Sequence, residues 1–344
     1  MTHFHFILND HKKTAKGGES QPIIPTPLEL RRSTRYIDAM SHPIPPESDF
    51  VMRLRNNGNS VSIAAPAKIN LFLKVLGKRP DGYHDIFSWF QTLDLADRIE
   101  IHKTIDRKIN LITDHPDLSV GPDNLIYKAA KTIQDNYTPE IGFQIKLEKR
   151  IPIGAGLGGG SSDAAAVIKG LNHLLRLGLT VSQMVDLGLE IGSDVPFFFS
   201  RGQAEVTGRG ERVREISLPV DYQALLVTPP FEIRAAEAYR KFKLDLTVKE
   251  LDVSFRCRKA HELFDVISEL ANDLERALLI SYPILDKVRD ELIKTGANIV
   301  RLTGSGPTIF ALYGDTAPDA EELTPRFRGE RWGVQLARPV ILPA

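Results

Sequence analysis

Five of the seven residues from Gly154 to Gly160 are glycine, and they join two periodic segments. Upstream, Phe143, Ile145 and Leu147 alternate as in a strand. Downstream, Ala164, Val167, Ile168, Leu171, Leu174 and Leu175 recur at three- and four-residue intervals, as on an amphipathic helix. A glycine passage from strand to helix lets backbone N–H groups approach a polyphosphate, and the helix amino terminus attracts its charge. Pro152, Gly154, Ala155, Gly156, Leu157, Gly158, Gly159, Gly160, Ser161 and Ser162 are therefore the expected phosphate cradle, its two hydroxyls serving as extra donors or metal contacts. Taken alone, the loop also fits a flexible linker or a tight turn. A Walker A reading fails, because no Gly-Lys-Ser/Thr end is present. A dinucleotide fingerprint is embedded at Gly154 to Gly159, but it lies mid-chain and its glycines run past where the helix should begin. Glu190 is too distant to be the acidic ribose-binding residue that fingerprint requires, and Asp186 sits in a helical stretch.

The balance of charge narrows the partners. Lys plus Arg and Asp plus Glu both number 44, so no net positive field draws the chain to nucleic acid or an anionic membrane. A small-molecule partner is expected. Cys257 is the single cysteine, which rules out an intramolecular disulfide and suits the cytoplasm. No apolar run approaches the roughly 18 residues of a membrane span. At 344 residues, with about 150 per domain as the prior, two domains are expected.

Residues 1–57, with Pro22, Pro25, Pro27, Pro43, Pro45 and Pro46, read as an irregular, disordered extension without a secretory signal. From Ser60, Val61, Ile63 and Ala65 alternate, as do Ile69, Leu71 and Leu73, predicting two half-buried strands flanking Pro66. Ile99 with Ile101, and Ile109 with Leu111, extend a sheet, and Asn124 caps a helical pattern through Ile133. The carboxyl half predicts strands near 224–227, 299–302 and 308–312 and helices near 235–242, 263–270 and 284–294. Strands and helices mix without strict alternation, so the fold class is α+β in two lobes, divided as 58–218 and 219–344.

Three motifs in order carry a resemblance. Pro152 to Ala165 resembles the ATP-binding motif of the GHMP kinases, Pro66-Ala67-Lys68-Ile69-Asn70-Leu71 their first motif, and Leu302-Thr303-Gly304-Ser305-Gly306-Pro307-Thr308 their third. Asp81-Gly82-Tyr83-His84, Gly192-Ser193-Asp194-Val195-Pro196 and Asn272-Asp273-Leu274-Glu275 are similar to those members that phosphorylate a CDP-linked alcohol on the non-mevalonate route to isoprenoid precursors. One departure is Phe231 to Ala236, where relatives more often carry a Ser-Thr pair.

The resemblance implies an amino-terminal lobe like ribosomal protein S5 domain 2, a ferredoxin-like carboxy-terminal lobe, and a site in the cleft between them. It implies ATP as co-substrate, Mg²⁺ arriving with it rather than at a resident metal site, and a monomer or homodimer. Asp194 is then the base that takes the acceptor proton, and Lys68 its electrostatic partner. Asn70, Thr303, Gly304, Ser305 and Gly306 border the acceptor, and Asn124 borders the adenine. Tyr83 offers a ring to a pyrimidine, and His84 hydrogen bonds to its edge. From local sequence alone Asp194 reads equally as a turn residue, Lys68 as a lysine on a wet strand face, Asp81-Gly82 as a hairpin turn, and Asn124 as a helix cap. Two alternatives stay open: a GHMP kinase with a homoserine or sugar acceptor, and a non-catalytic nucleotide-binding module.

Overall fold

The computed structural model describes residues 53–55, 58–242, 257–327 and 332–343. Its first sheet contains β1 (Arg53–Arg55), β2 (Ser60–Lys78), β3 (His84–Thr104), β4 (Ile109–Thr113), β5 (Gly142–Glu148), β6 (Gln203–Gly208) and β7 (Arg212–Glu215), covered by α1 (Leu125–Tyr137), α2 (Gly159–Leu175) and α3 (Val181–Ile191). β3 is the hub. It runs antiparallel to β2 along its length, its first half also pairs with β6, and its second half pairs with β5. β1 falls inside the stretch read from sequence as an irregular extension; the rest of that stretch up to residue 57 lies outside the described residues.

The two strands expected around Pro66 are one strand, and it is buried on both faces rather than half-buried. Pro66 shares the parity of Lys68 and Asn70, whose N–H groups point away from β3, so its missing N–H costs the ladder nothing. Val61, Ile63 and Ala65 pack with Ala164, Val167 and Ile168 of α2. Ala67, Ile69, Leu71 and Phe72 instead join Leu226, Phe310 and Leu312 of the second lobe. β3 likewise starts well before Ile99. Ile86, Phe87, Trp89 and Phe90 are buried on opposite faces, so no apolar/polar alternation announces the strand.

The second lobe is an antiparallel sheet in the order β11-β8-β10-β9, formed by β8 (Gln223–Thr228), β9 (Ile299–Leu302), β10 (Ile309–Tyr313) and β11 (Gly333–Ala337). Helices α4 (Ala235–Lys241), α5 (Ala260–Ser268), α6 (Glu275–Ser281), α7 (Pro283–Ile293) and α8 (Ala320–Phe327) complete it. After β11 the chain returns to the first lobe. Leu93 bridges Pro339, Thr92 Oγ1 donates to the Val340 carbonyl at 2.7 Å, and Val340 and Leu342 pack on Ala96. No helix among the described residues is long and apolar enough to cross a membrane.

Candidate active site

β1 covers only the start of β2, from Ser60 to Ser62; beyond that point β2 presents a free edge whose N–H groups need acceptors. Three loops supply them. Lys68 N–H donates to the Leu157 carbonyl of the glycine loop at 2.9 Å. Asn70 N–H donates to Thr303 Oγ1 at 3.0 Å. Past the register irregularity between Asn70 and Phe72, Leu73 bridges Asn272 and Val75 N–H donates to Asp273 Oδ2 at 2.8 Å. The sequence motifs of three distant segments thus meet along one strand edge.

Lys68 is 3% exposed, and its Nζ stands 2.6 Å from Asn70 Oδ1, 3.5 Å from Asp194 Oδ2 and 4.6 Å from the centre of the Phe90 ring. It is not on a wet strand face. Burial pulls its pKa below the ordinary lysine value, and the Asp194 charge opposes that shift. Asp194 sits in the turn Gly192 to Val195, between α3 and the short 3₁₀ turn Pro196–Phe199, with its side chain partly open to solvent. A Cβ on Gly210, in the β6–β7 hairpin, would lie 3.2 Å from Asp194 Oδ1, so that hairpin roofs the carboxylate. Asn70 spends its side chain inside the protein, accepting from Lys68 and donating to Ser88 Oγ at 3.1 Å.

Gly158 is the N-cap of α2 at φ +70° and, having no side chain, supplies no side-chain acceptor to the first-turn N–H groups of α2. Gly159 and Gly160 form that first turn, so the helix begins inside the glycine passage. A Cβ on Gly159 would lie 2.9 Å from Lys149 Nζ and 3.0 Å from Ile151, so a larger residue there would have to displace them. A Cβ on Gly158 would meet Lys68 at 2.9 Å, and one on Gly156 would meet the Thr303 carbonyl at 2.5 Å. The cradle, Lys68 and the third motif are in direct contact. Ser162 Oγ is buried with no hydrogen-bond partner.

Thr303 is fully buried, its hydroxyl held between Asn70 N–H and the Gly156 carbonyl at 3.5 Å, so it docks the turn rather than facing the cleft. Asn272 Nδ2 donates to the Leu302 and Gly304 carbonyls at 2.7 and 2.8 Å, and a Cβ on Gly304 would lie 2.9 Å from Asn70 Oδ1. Asn124 is the N-cap of α1: its Oδ1 accepts from Ile126 N–H and its Nδ2 donates to the Ser119 carbonyl. The next residue, Leu125, reaches the cradle, 3.5 Å from a Cβ on Gly160.

Tyr83 and His84 are not a matched pair. The Tyr83 ring is 50% exposed with the Arg209 guanidinium 5.1 Å above it, whereas His84 stacks on Tyr239 of α4 at 4.9 Å and 15°. Burial, aided by the Lys78 charge, lowers the His84 pKa. Tyr239 is pushed up by burial and, second, by the Asp194 charge. The sequence reading did not single out Tyr239, because it lies on a seven-residue helix with no motif and its significance comes from partners in another lobe. The departing segment also meets the cradle, with Glu232 2.7 Å from a Cβ on Gly154.

Residues 124–202 match the model of the GHMP kinases N terminal domain, and residues 256–328 that of the GHMP kinases C terminal domain. The chain is 40% identical over 251 residues to the 4-diphosphocytidyl-2-C-methyl-D-erythritol kinase of Geobacillus sp. (strain WCH70), spanning 73% of this chain and 87% of that protein. It superposes on a crystal structure of 4-(cytidine 5'-diphospho)-2C-methyl-D-erythritol kinase with a TM-score of 0.65 and 31% identity, over 81% of this chain and 99% of the other. Homoserine kinase from Cytophaga hutchinsonii shares the fold at a TM-score of 0.63 and 17% identity, over 85% of this chain and 98% of its own.

Proposed function

The chain belongs to the GHMP kinases, and from that premise we propose that it transfers the γ-phosphoryl group of ATP to the C2 hydroxyl of 4-diphosphocytidyl-2-C-methyl-D-erythritol, giving the 2-phosphate and ADP in isoprenoid-precursor synthesis. The observation that carries the mechanism is the Lys68–Asp194 pair, 3.5 Å apart, beside the uncapped amino terminus of α2.

Phosphoryl transfer asks an enzyme chiefly to position the acceptor and to neutralise charge on the transferring oxygens. The triphosphate lies against Gly154 to Ser162, where first-turn N–H groups of α2 offer it donors and the absent Cβ atoms let the loop close on Lys68, Lys149 and the third motif. Asp194 accepts the proton of the C2 hydroxyl as the new P–O bond forms. Lys68 donates to Asn70, stands 3.5 Å from the Asp194 carboxylate and orients the hydroxyl. Ser162, with its unpartnered buried hydroxyl, and Ser161 would hold the Mg²⁺ that enters with ATP, which neutralises phosphoryl oxygens and keeps several waters. Tyr83 and the His84–Tyr239 stack form the base end of the acceptor pocket.

Asp194→Asn tests the assignment. ATP binding stays near that of the unaltered protein, while kcat falls by about 10²–10⁴, the usual worth of a general base. Near-normal turnover would remove Asp194 from that role. Incubation with ATP and a panel of cytidyl, homoserine and sugar acceptors tests the substrate, and ADP release with any acceptor but the cytidyl one would redirect the reading.

A further inference from the structure

The strand that carries Lys68 changes cores in mid-course. Val61, Ile63 and Ala65 of β2 pack with α2 in the first lobe, yet Ala67, Ile69 and Leu71, of the same parity, pack in the cluster shared with the second lobe. The change falls at a register irregularity. Pro66 pairs with Ala96 of β3 and Lys68 with Thr92, so Ala67 stands opposite three residues, Leu93, Asp94 and Leu95. A bulge of this kind bends the strand and sharpens the local twist, and beside an active site it re-aims a side chain. Lys68 is the first residue past it. Its ammonium comes to lie over the ring of Phe90, a member of the first-lobe core, and 3.5 Å from Asp194.

Backbone groups of a bulge fall outside the regular ladder and need partners of their own. On its edge away from β2, β3 pairs with β6 as far as Gln91 and with β5 from Arg98, which leaves the bulge between them uncovered by either strand. The segment after β11 fills that gap. Asp94 N–H donates to the Arg338 carbonyl at 2.9 Å, Arg338 N–H donates to Asp94 Oδ1 at 2.8 Å, and Leu93 bridges Pro339. Val340 N–H donates to the Thr92 carbonyl at 3.1 Å, and the Val340 carbonyl accepts from Thr92 Oγ1 at 2.7 Å and from Gln91 Nε2 at 3.2 Å. Gln91 and Thr92 are fully buried, so losing these bonds would strand polar groups inside the protein. Gln91 Oε1 also accepts from Gln203 Nε2 at 2.8 Å, and Leu342 N–H donates to the Arg201 carbonyl at 2.9 Å, which ties the segment to β6 and the turn before it.

We propose that the segment Arg338 to Leu342 clamps the β3 bulge, and that the clamped bulge holds the Lys68 ammonium at the acceptor hydroxyl. Asp94 is then a positioning residue, acting on Lys68 through the β2–β3 ladder. The inference rests on the reading of Lys68 as the group that orients the acceptor. The donors assigned to ATP are on α2, which packs against β2 ahead of the bulge. Loosening the clamp therefore acts on kcat and leaves KM for ATP in place. An asparagine at 94 keeps an oxygen for the Arg338 N–H. An alanine does not.

The test is steady-state kinetics with Mg-ATP and the cytidyl acceptor, well below the melting temperature, on the unaltered chain, a chain ending at Ala337, Asp94→Asn and Asp94→Ala, with thermal melts alongside. The chain ending at Ala337 keeps its KM for ATP and loses about ten- to a hundredfold in kcat, the scale of a misplacement on the order of 1 Å. Asp94→Ala loses about three- to tenfold in kcat with KM for ATP unchanged, and Asp94→Asn retains the kcat of the unaltered protein. A lower melting temperature with kcat intact would mean that the segment only stabilises the fold, and overturns the proposal. So does a fall in Asp94→Asn equal to that in Asp94→Ala, or a KM for ATP that rises in step with the loss of kcat. If the shortened chain does not fold, the two Asp94 variants decide alone. Absence of turnover by the unaltered protein with the cytidyl acceptor overturns the functional reading itself, and this inference with it.

Discussion

At the residue scale, Lys68 shows how burial changes what a side chain can report. Its pKa is lowered from 10.5 because burial disfavours the ammonium, while Asp194 pulls the other way. The sign of each consequence follows. Activity needs the ammonium, so kcat declines as pH rises through the lowered folded value, earlier than a free lysine would allow. Stability moves oppositely. Between the folded value and 10.5 the unfolded chain holds the Lys68 proton and the folded chain does not, so this group's contribution to stability rises with pH across that window. Lys68→Arg, whose guanidinium stays protonated, removes the alkaline fall in kcat, though its planar fork does not reproduce a compact ammonium and kcat is lower throughout. Lys68→Met removes this group's share of the pH trend from the denaturation midpoint. Parallel movement of activity and stability in the unaltered protein, once the Lys68→Met baseline is subtracted, would contradict this account. Local sequence favoured a solvated lysine; only the motif match, and then the burial, turned it inward.

At the element scale, the strand–glycine loop–helix unit was legible because period-2 and period-3.6 patterns meet at the glycines. The reason for each glycine was not legible, since it depends on what lies opposite. Gly156 and Gly178 both adopt positive φ, +78° and +69°, but a Cβ on Gly156 meets the Thr303 carbonyl at 2.5 Å and one on Gly178 meets nothing within 4 Å. Gly178→Ala therefore costs about 1–2 kcal/mol of stability through backbone strain alone and leaves KM for ATP unchanged. Gly156→Ala carries the same strain and also displaces the third motif from the cradle, raising KM for ATP. Chemical denaturation and ATP-dependence of rate measure the two effects. A Gly178→Ala that alters KM, or a Gly156→Ala that does not, would separate the loop from the third motif. The single long β2 was missed for a related reason: a proline reads as a strand break unless its N side is known to face a free edge.

At the scale of the molecule, the two lobes share an apolar cluster. Leu71, Phe72 and Trp89 of the first sheet pack with Leu226 and Phe310 of the second, and Arg301 of β9 donates to the Leu71 carbonyl at 2.8 Å. The lobes should therefore unfold together. The two tryptophans provide the test, because Trp89 lies in this shared cluster and Trp332 in the core of the second lobe. Trp89→Phe and Trp332→Phe variants, each reporting the remaining tryptophan, give coincident urea transitions, and Phe310→Ala moves both midpoints down together by about 3–5 kcal/mol of stability. Separated transitions would mean independent lobes. By itself the sequence determined the α+β class, the order of the three motifs, the strand–glycine loop–helix unit and the family, because each rests on periodicity or on contiguous residues. It did not determine that β2 would offer a free edge, that Leu157, Thr303 and Asn272 would dock along it, that Tyr239 would reach His84, or that Lys149 would bridge Asp97 and Asp163. Those contacts join residues far apart in the chain: packing within the first lobe seats the glycine loop on β2 and sets the charged cluster beneath it, and the closure of two lobes on a common core brings Thr303, Asn272 and Tyr239 against the first sheet.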